Sequence, residues 1–285
     1  MGVITGKTKL LGVIGNPVTH SLSPVMHNAA IAALNVDYVY LAFPVKPEAL
    51  ATAIAGFEAI ELVGFNITIP HKQTIMPLLS DISPAAKMIG AVNTVWRTET
   101  GWYGTNTDVN GFIAPLKTLE RDWSQVTPVI LGNGGAARAV VVGCHQLGCP
   151  QICVVGRNQS KLEHFKQSWE NTPIEGALSV HSWDELSGLV SKTGLLVNTT
   201  PVGMSPQIEQ SPVAENVMVQ LSENAIAYDL IYNPRPTLFL KQAAQQGAMA
   251  IDGLEMLVQQ GAAALEIWLR QPIPVDIMRQ SLNKE

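Results

Sequence analysis

The sequence predicts an α/β fold with two domains, an N-terminal α/β domain followed by a Rossmann-like domain. Short apolar runs alternate with segments of helical apolar spacing, once from residue 10 and again from residue 127. A glycine-rich stretch, Gly132 to Ala137, separates the apolar run 127–131 from a helical segment at 138–147. The length of 285 residues allows two domains that each bury a core.

The N-terminal half follows a βαβ rhythm, which implies a parallel sheet. Strands are predicted over residues 10–15, 38–43 and 62–69, and helices over 24–34, 48–56 and 84–89. Pro70 directly follows the third strand and is a good first residue for a helix. Two extended runs, 91–97 and 102–104, are joined by a predicted hairpin turn at 98–101.

The second half repeats this rhythm after a predicted crossover helix at 108–120. Strands are predicted at 127–131, 151–155, 195–197 and 225–230, with helices at 138–147, from Ser160, at 236–246 and at 254–269, and a short run at 248–251. Residues 184–194 and 205–215 are ambiguous or loop-like. The predicted architecture is two unequal α/β domains with a cleft between them.

Charge and composition exclude two classes of partner. The net charge of −5 comes with no run of Lys or Arg, whereas binding to nucleic acid needs a basic surface. No segment approaches the roughly 18 uninterrupted apolar residues of a membrane span, and the N-terminus lacks a signal-peptide pattern, so we expect a cytoplasmic protein. Cys144, Cys149 and Cys153 form no Cys-x-x-Cys pair, which favours free thiols.

The glycine-rich stretch predicts a dinucleotide site. Small residues at Gly132, Gly134 and Ala137 form a Gly-x-Gly-x-x-Ala motif that lets the backbone approach a pyrophosphate at the start of the next helix. The alternative is a tight strand-to-helix corner without a ligand. Arg157 follows the next strand, where NAD-binding folds place an acidic residue, and its guanidinium can pair with a 2′-phosphate. NADP is therefore favoured over NAD, unless Arg157 is only a solvated loop residue.

The first domain carries several short polar motifs. Ser21 and Ser23 lie where a helix begins, so their hydroxyls suit a carboxylate, although Ser23 alone would be explained as an N-cap. Further motifs are Gly15 to Pro17, Asn66 to Lys72, Gly90 to Thr94, Gly104 to Asp108, Asn198 to Met204, Asp229 to Pro234 and Asp252 to Gln260. In this combination, over nearly the whole chain, the sequence resembles the shikimate dehydrogenase family.

The resemblance implies reversible, NADP-dependent reduction of 3-dehydroshikimate to shikimate, a step of chorismate and aromatic amino-acid biosynthesis. A secondary alcohol needs a proton-transferring group beside the hydride acceptor, and Lys72 and Asp108 both follow extended segments of the first domain. By similarity they form the catalytic pair. The substrate contacts implied by the resemblance are Ser21, Ser23, Thr68, Lys72, Asn93, Asp108, Tyr232 and Gln260. The cofactor contacts are Gly132, Asn133, Gly134, Gly135, Ala136, Arg157, Lys161, Thr199, Met204, Leu230 and Gly253.

The domain boundaries follow from these assignments. Residues 1–108, completed by C-terminal helices at about 254–285, would bind the substrate, and residues 109–253 would bind NADP. Closure of the two domains on the ligand is a hypothesis from this topology. The resemblance allows a monomer or a homodimer. His20, His27 and His71 show no metal-ligand spacing, so we expect no metal site.

Two alternatives stay open. The family commonly has Asn-Arg-Thr after the second strand of the cofactor domain, whereas this chain has Gly156, Arg157 and Asn158, which would weaken NADP selectivity. One rival is therefore a quinate/shikimate dehydrogenase that accepts NAD. The other is a dinucleotide-binding sensor that has kept the fold and lost the chemistry, against which the retained Lys72 and Asp108 argue.

Overall fold

In a computed structural model of the protein, which describes residues 3–282, the chain forms two compact units. The first unit contains Met1–Gly111 and Leu257–Glu285, and the second contains Phe112–Met256. The predictions for residues 1–2 and 283–285 lie outside the described residues. Within the described chain, no helix has both the length and the apolar character needed to cross a membrane.

The elements from the N-terminus to the first crossing between units include β1 (Lys9–Gly15), α1 (Ser23–Leu34), β2 (Tyr38–Pro44), α2 (Leu50–Ala59), β3 (Gly64–Ile67), β4 (Asp81–Ile82), α3 (Pro84–Ile89), β5 (Thr94–Thr98), β6 (Gly101–Thr105) and α4 (Asp108–Lys117). The remaining elements are β7 (Pro128–Leu131), α5 (Gly135–Gln146), β8 (Ile152–Gly156), α6 (Gln159–Gln167), β9 (Leu178–Ser182), α7 (Leu186–Val190), β10 (Leu195–Asn198), α8 (Glu215–Met218), β11 (Ile226–Asp229), α9 (Leu238–Gln245), β12 (Met249–Ile251), α10 (Leu254–Leu269) and α11 (Val275–Ser281).

The sheet of the first unit has the strand order β2-β1-β3-β5-β6-β4. Strands β2, β1 and β3 are mutually parallel, as the βαβ rhythm predicts. The β5–β6 hairpin then adds antiparallel pairs, with β5 antiparallel to both β3 and β6. The first unit is therefore built on a mixed sheet with a parallel half.

The C-terminal helices complete the core of the first unit. The indole N–H of Trp268, on α10, donates to the carbonyl oxygen of Val95 at 3.0 Å. A Cβ atom at Gly64 would lie 2.2 Å from Trp268 Nε1, so the glycine makes room for the indole against the sheet. Helix α11 packs against α1. The aromatic core beside this contact contains Phe57, Phe65 and Trp102.

The sheet of the second unit is parallel throughout, with the order β12-β11-β10-β7-β8-β9. This is the Rossmann order: β7 lies in the middle of the sheet, β8 and β9 are added on one side of it, and β10 to β12 on the other. The order in which strands are added therefore reverses between β7 and β10. The inner strands are buried on both faces, which explains why their sequences are continuous apolar runs. The described chain forms no disulfide from Cys144, Cys149 or Cys153, which are all buried.

One predicted feature is wrong, and one alternative explanation is excluded. Residues 70–75 form turns and not a helix: Ile75 N donates to His71 O at 3.1 Å, but the next carbonyl, Lys72 O, accepts the N–H of the distant Val92 at 2.7 Å. The alternative explanation of Ser23 as an N-cap does not hold, because Ser23 is the first residue of α1 and the N-cap is Leu22. The ambiguous stretch 184–194 contains α7, and the sequence pattern gave no sign of β4 or β9.

Candidate functional site

One edge of the first sheet collects the candidate substrate residues. The carboxyl ends of β1, β3 and β6 and the amino end of β5 lie along this edge, because β5 runs antiparallel to β3 and β6. Segments that leave this edge carry Ser21 and Ser23 after β1, Thr68 and Lys72 after β3, Asn93 before β5, and Asp108 after β6. The strand topology therefore gathers side chains that are up to 87 positions apart in the sequence, from Ser21 to Asp108.

Lys72 and Asp108 form an ion pair at this edge. Lys72 Nζ lies 2.6 Å from Asp108 Oδ2, and the side chains are 18% and 6% exposed. Water screens the attraction less at this depth than at the surface, so the pair holds the lysine nitrogen in a fixed position. An ammonium group held this way can give a proton to a developing oxyanion and recover it in the reverse reaction.

Asn93 connects this pair to α10. Its Nδ2 donates to Asp108 Oδ1 at 2.8 Å and lies 3.4 Å from Gln260 Oε1, so four of the predicted substrate residues are in direct hydrogen-bond contact. The Asn106 side chain fixes the start of α4, since its Oδ1 accepts the backbone N–H of Asp108 at 2.9 Å, while both Asp108 oxygens face Lys72 and Asn93. The carboxylate thus has fixed partners on both oxygens.

A buried polar network fixes the orientation of the Asn93 amide. Thr107 N and the Thr94 hydroxyl donate to Asn93 Oδ1 at 2.8 and 2.9 Å, which turns Nδ2 toward Asp108. Asn66 Nδ2 donates to Asn93 O and to Thr94 Oγ1, both at 3.1 Å, and the Tyr40 hydroxyl donates to Asn66 Oδ1 at 2.7 Å. Such fully bonded buried networks select one side-chain arrangement.

The sequence prediction did not assign roles to Tyr40, Asn66 or Thr94. The sequence feature that could have identified them is a polar side chain within or beside an otherwise apolar strand. Such a side chain indicates a hydrogen-bonded buried group, because a buried polar group without a partner costs free energy. Asn66 interrupts the buried strand β3 in this way. The pattern reveals a bonded polar core, but it does not reveal which residues are its partners.

Ser21, Ser23 and Thr68 lie at the same edge without direct hydrogen bonds to the Lys72–Asp108 pair in the described chain. Ser21 Oγ accepts the backbone N–H of Ser23 at 3.3 Å at the start of α1. Thr68 is fixed by its backbone N–H, which donates to Ile14 O at 2.9 Å. Both serines thus stand beside the positive end of a helix, where an anion is favoured.

His27, on α1, is fully buried and stacks on Tyr40 with ring centroids 4.0 Å apart. Burial lowers the pKa of His27 from 6.5 to about 4, although the backbone carbonyl contacts act in the opposite direction. Among the described residues, no group of three His, Cys, Asp or Glu side chains is arranged to hold a metal ion. His71 is likewise buried and bonded to a carbonyl oxygen.

We expect His27 to make the protein less stable in acid. The unfolded state binds the proton more tightly, so the stability from neutral His27 is complete above about pH 6.5 and is lost as the pH falls toward 4. Between pH 7 and 5 the loss is about 2 kcal/mol. Urea unfolding at pH 7 and pH 5 measures this loss as a difference in the free energy of unfolding, and hydrogen exchange of β1 at both pH values is a second measure. His27→Gln should remove the pH-dependent difference.

His164→Gln is the matched control for this prediction. His164 Nδ1 lies 2.7 Å from the carbonyl oxygen four residues earlier, as His27 Nδ1 does at 2.8 Å, but His164 is exposed. Its replacement should leave the pH dependence unchanged. Equal pH dependence of wild type and His27→Gln would show that His27 is not the responsible group.

The second unit has its candidate cofactor residues at the point where the strand order reverses. Gly132 follows β7 and Thr199 follows β10, the two strands between which open α/β sheets bind ligands. Gly132 has φ +101°, and a Cβ there would lie 2.9 Å from Thr199 Oγ1 and 3.1 Å from Thr200 Cγ2. Only glycine gives both this conformation and this close approach.

Helix α5 presents free backbone donors beside that glycine. It begins at Gly135, and its N-cap, Gly134, makes no side-chain capping bond. A Cβ at Gly134 would meet nothing within 4 Å, so the turn is open at this position. The first N–H groups of a helix lack intrahelical partners and suit phosphate oxygens. The residues present therefore fit the pyrophosphate of a dinucleotide.

Arg157 lies next to an aromatic ring at the end of β8. The parallel register pairs Gly156 with Ser182, and this places Arg157 beside Trp183, with the guanidinium carbon 5.0 Å from the ring centroid. Lys161 is exposed in the first turn of α6, and its backbone N–H donates to the capping side chain of Asn158 at 2.9 Å. Arg157 and Lys161 thus place two cations just after β8, and groups of this kind can form charge-assisted hydrogen bonds to a phosphate.

Three further predicted cofactor residues lie on loops: Met204 after β10, Leu230 after β11 and Gly253 after β12. Met204 is 43% exposed on the first of these loops. On the second, Leu230 is in close contact with Gly253: a Cβ at Gly253 would lie 2.2 Å from Leu230 O. Tyr232, predicted as a substrate contact, belongs to this second unit, whereas Gln260 belongs to the first.

The Rossmann-ordered sheet of the second unit, with its open glycine turn, and the partly buried lysine–carboxylate pair of the first unit are the features of a dinucleotide-dependent oxidoreductase. Two family models match the chain: "Shikimate dehydrogenase substrate binding domain" over residues 13–95 and "Shikimate 5′-dehydrogenase C-terminal domain" over residues 253–282. The chain belongs to the shikimate dehydrogenase family.

Curated relatives and solved structures cover almost the full chain. The NADP(+) shikimate dehydrogenase of Gloeothece citriformis (strain PCC 7424) is 71% identical over 283 residues, which are 99% of this chain and 98% of that protein. A crystal structure of a shikimate dehydrogenase in complex with NADP+ is 37% identical with a TM-score of 0.90, covering 99% of this chain and 96% of that one. The shikimate 5-dehydrogenase of Listeria monocytogenes in complex with shikimate and NAD is 34% identical with a TM-score of 0.87, covering 99% of each chain.

Proposed function

We propose that the chain catalyses the reversible, NADP-dependent reduction of 3-dehydroshikimate to shikimate, a step of chorismate and aromatic amino-acid biosynthesis. The observation that carries this proposal is the 2.6 Å pair of Lys72 and Asp108, held by Asn93 in a chain that belongs to this family. This pair supports catalysis over dinucleotide binding alone, because coupled titratable side chains cluster at catalytic sites.

In the proposed mechanism, Lys72 is the acid/base group. During reduction, Lys72 Nζ gives a proton to the oxygen of the reacting carbonyl, and in the reverse direction it takes the hydroxyl proton. NADPH, when bound, supplies the hydride. Asp108 accepts the hydrogen bond from Lys72 and keeps the ammonium group in position, while Asn93 keeps Asp108 in position.

The substrate contacts are proposed by chemical type. Ser21 and Ser23, at the start of α1, bind the carboxylate, and Thr68, Asn93 and Asp108 bind ring hydroxyls. Tyr232 and Gln260 complete the set. Paired donors and acceptors of this kind select a polyol, because an analogue that lacks a hydroxyl leaves a buried polar group without a partner.

The cofactor contacts are proposed on the second unit. The pyrophosphate binds the backbone from Gly132 to Ala136, the 2′-phosphate binds Arg157 and Lys161, and Thr199, Met204, Leu230 and Gly253 lie along the rest of the dinucleotide. Residues 109–253 are the proposed NADP domain, and residues 1–108 with the helices from about 254 are the proposed substrate domain. We further propose a cytoplasmic location, and a monomer or a homodimer.

An initial-rate assay with four pairs of reactants tests the function: shikimate or quinate, each with NADP or NAD. We expect turnover with shikimate and NADP to exceed that of the other pairs, since Arg157 and Lys161 favour the phosphorylated ribose. Comparable rates with quinate or NAD would indicate a dehydrogenase of broader specificity. No turnover with any pair would contradict the proposal and favour a dinucleotide sensor.

A further inference from the structure

Asp229 is a buried carboxylate in the second unit to which the proposed function gives no role. It ends β11 and is fully buried. Its Oδ1 accepts hydrogen bonds from Asn198 Nδ2 at 3.0 Å and from Ile231 N at 3.1 Å, and its Oδ2 accepts one from the Thr237 hydroxyl at 2.7 Å. A buried carboxylate is costly unless donors surround it, and three donors do so here.

On one side, Asp229 fixes the loop after β10. Asn198 ends β10, and its Oδ1 accepts the backbone N–H of Thr200 at 3.0 Å and the Thr200 hydroxyl at 2.7 Å. Asn198 Nδ2, besides its bond to Asp229, donates to Val202 O at 3.2 Å. The Asn198 side chain therefore shapes the segment that carries Thr199 and Met204.

On the other side, Asp229 fixes the loop after β11. It accepts the N–H of Ile231, between Leu230 and Tyr232, and it holds the hydroxyl of Thr237. Thr237 is the N-cap of α9, where its Oγ1 accepts the N–H of Leu240. One carboxylate thus joins two loops that both carry proposed cofactor contacts.

We propose that Asp229 is a positioning residue for the cofactor, whose carboxylate ties the loop at 199–204 to the loop at 230–237. This inference rests on the proposed function, because it assigns to those loops the contacts with NADP. Asp229 touches neither reactant in this account. It acts by keeping two loop backbones at the spacing that the bound dinucleotide needs.

The charge of Asp229 gives this role a pH dependence. Burial raises the pKa of Asp229 from 3.8 to about 6, against the hydrogen bonds from Thr237, Ile231 and Asn198, which lower it. The charged neighbour Asp252, itself paired with Arg235 at 2.6 Å, raises it further. Protonation below about pH 6 removes the charge from all three hydrogen bonds, and charge-assisted bonds are roughly twice as strong as neutral ones.

Asp229→Asn is the first test, because the amide keeps the shape and loses the charge. We expect KM for NADP to rise about tenfold, with KM for shikimate changed by less than about twofold. Hydrogen exchange of residues 199–204 and 230–233 in the ligand-free protein should become faster. Tyr228→Phe is the matched control, since the buried Tyr228 hydroxyl has no hydrogen-bond partner in the described chain.

The second test separates positioning from general stability through pH. Calorimetric binding of NAD is measured from pH 5 to 8, because the 2′-phosphate of NADP itself titrates near pH 6. Wild-type affinity should fall as the pH drops through about 6, and Asp229→Asn should show no such fall. Thr237→Val removes a donor to the carboxylate, so the fall should move to higher pH, and Thr237→Ser should restore the wild-type profile.

The outcomes distinguish this inference from the function. If the wild-type protein turns over shikimate with NADP, but Asp229→Asn and Thr237→Val keep wild-type cofactor affinity and pH dependence, the inference is wrong and the function stands. If the wild-type protein has no activity, the function fails. The NAD binding profiles then still decide whether Asp229 positions the two loops.

Discussion

Lys72→Ala is expected to lower turnover of shikimate with NADP by about a thousandfold, within the range known for loss of a general acid/base group. The variant removes the nitrogen that lies 2.6 Å from Asp108, and Lys72 belongs to the first unit, whereas the proposed cofactor contacts belong to the second. The dissociation constant of NADP should therefore stay within about twofold of wild type, whereas kcat falls. Steady-state kinetics and equilibrium binding of NADP measure the two quantities separately.

Lys87→Ala is the control for this experiment. Lys87 Nζ also pairs with a carboxylate of the same unit, Asp81 Oδ1 at 3.0 Å, but both side chains are more than half exposed. Exposed pairs contribute little, so the control should keep wild-type kcat and stability. Unchanged turnover in Lys72→Ala would remove Lys72 from the mechanism, and loss of NADP binding would show a structural defect instead.

Arg157→Ala is expected to lower kcat/KM with NADP by about 10- to 100-fold, the worth of charge-assisted hydrogen bonds to a phosphate. The same variant should leave kcat/KM with NAD nearly unchanged, because NAD has a hydroxyl in place of the 2′-phosphate. Rates with both cofactors at fixed salt and saturating shikimate give the selectivity ratio directly. Lys161→Ala should add a smaller loss, since lysine binds phosphate through one point charge.

Arg121→Ala is the matched control for Arg157. Arg121 also lies over a tryptophan of the second unit, with its guanidinium carbon 5.9 Å from the Trp123 ring centroid, but it is not at the end of β8. It should not change the selectivity ratio. An unchanged selectivity ratio in Arg157→Ala would contradict the role proposed for Arg157. NADP would then be selected by other residues, in line with the replacement of the family's Asn-Arg-Thr by Gly156, Arg157 and Asn158 in this chain.

Regular patterns made much of the fold predictable from sequence. The helix predicted at 254–269 has those same bounds in the structure, and the strand at 10–15 lengthens by one residue. In each case local apolar spacing and burial agree, so no distant contact overrides them. The glycine turn was also predictable from local sequence, since Gly132 has a positive φ, which favours glycine.

The sequence could not show features that depend on distant partners. Residues 70–75 form turns in which the Lys72 carbonyl bonds to Val92 N, 20 positions away, a partner that the local sequence does not reveal. The contact of Arg157 with Trp183 depends on the register of β8 and β9. The roles proposed for Lys72 and Asp108 rest on the family resemblance, because a lysine after a strand and an aspartate at a helix start are common by themselves.

The division of the chain also sets an order for its assembly during synthesis. The second unit is one continuous segment, Phe112–Met256, so all its strands emerge from the ribosome before α10 does. The core of the first unit is completed later in synthesis, because the hydrogen bond from Trp268 to Val95 and the packing of α11 on α1 need the C-terminal helices. In a nascent chain, the first sheet therefore lacks the Trp268 indole over Gly64 at a stage when the second unit, which interrupts the first in the sequence, can already fold.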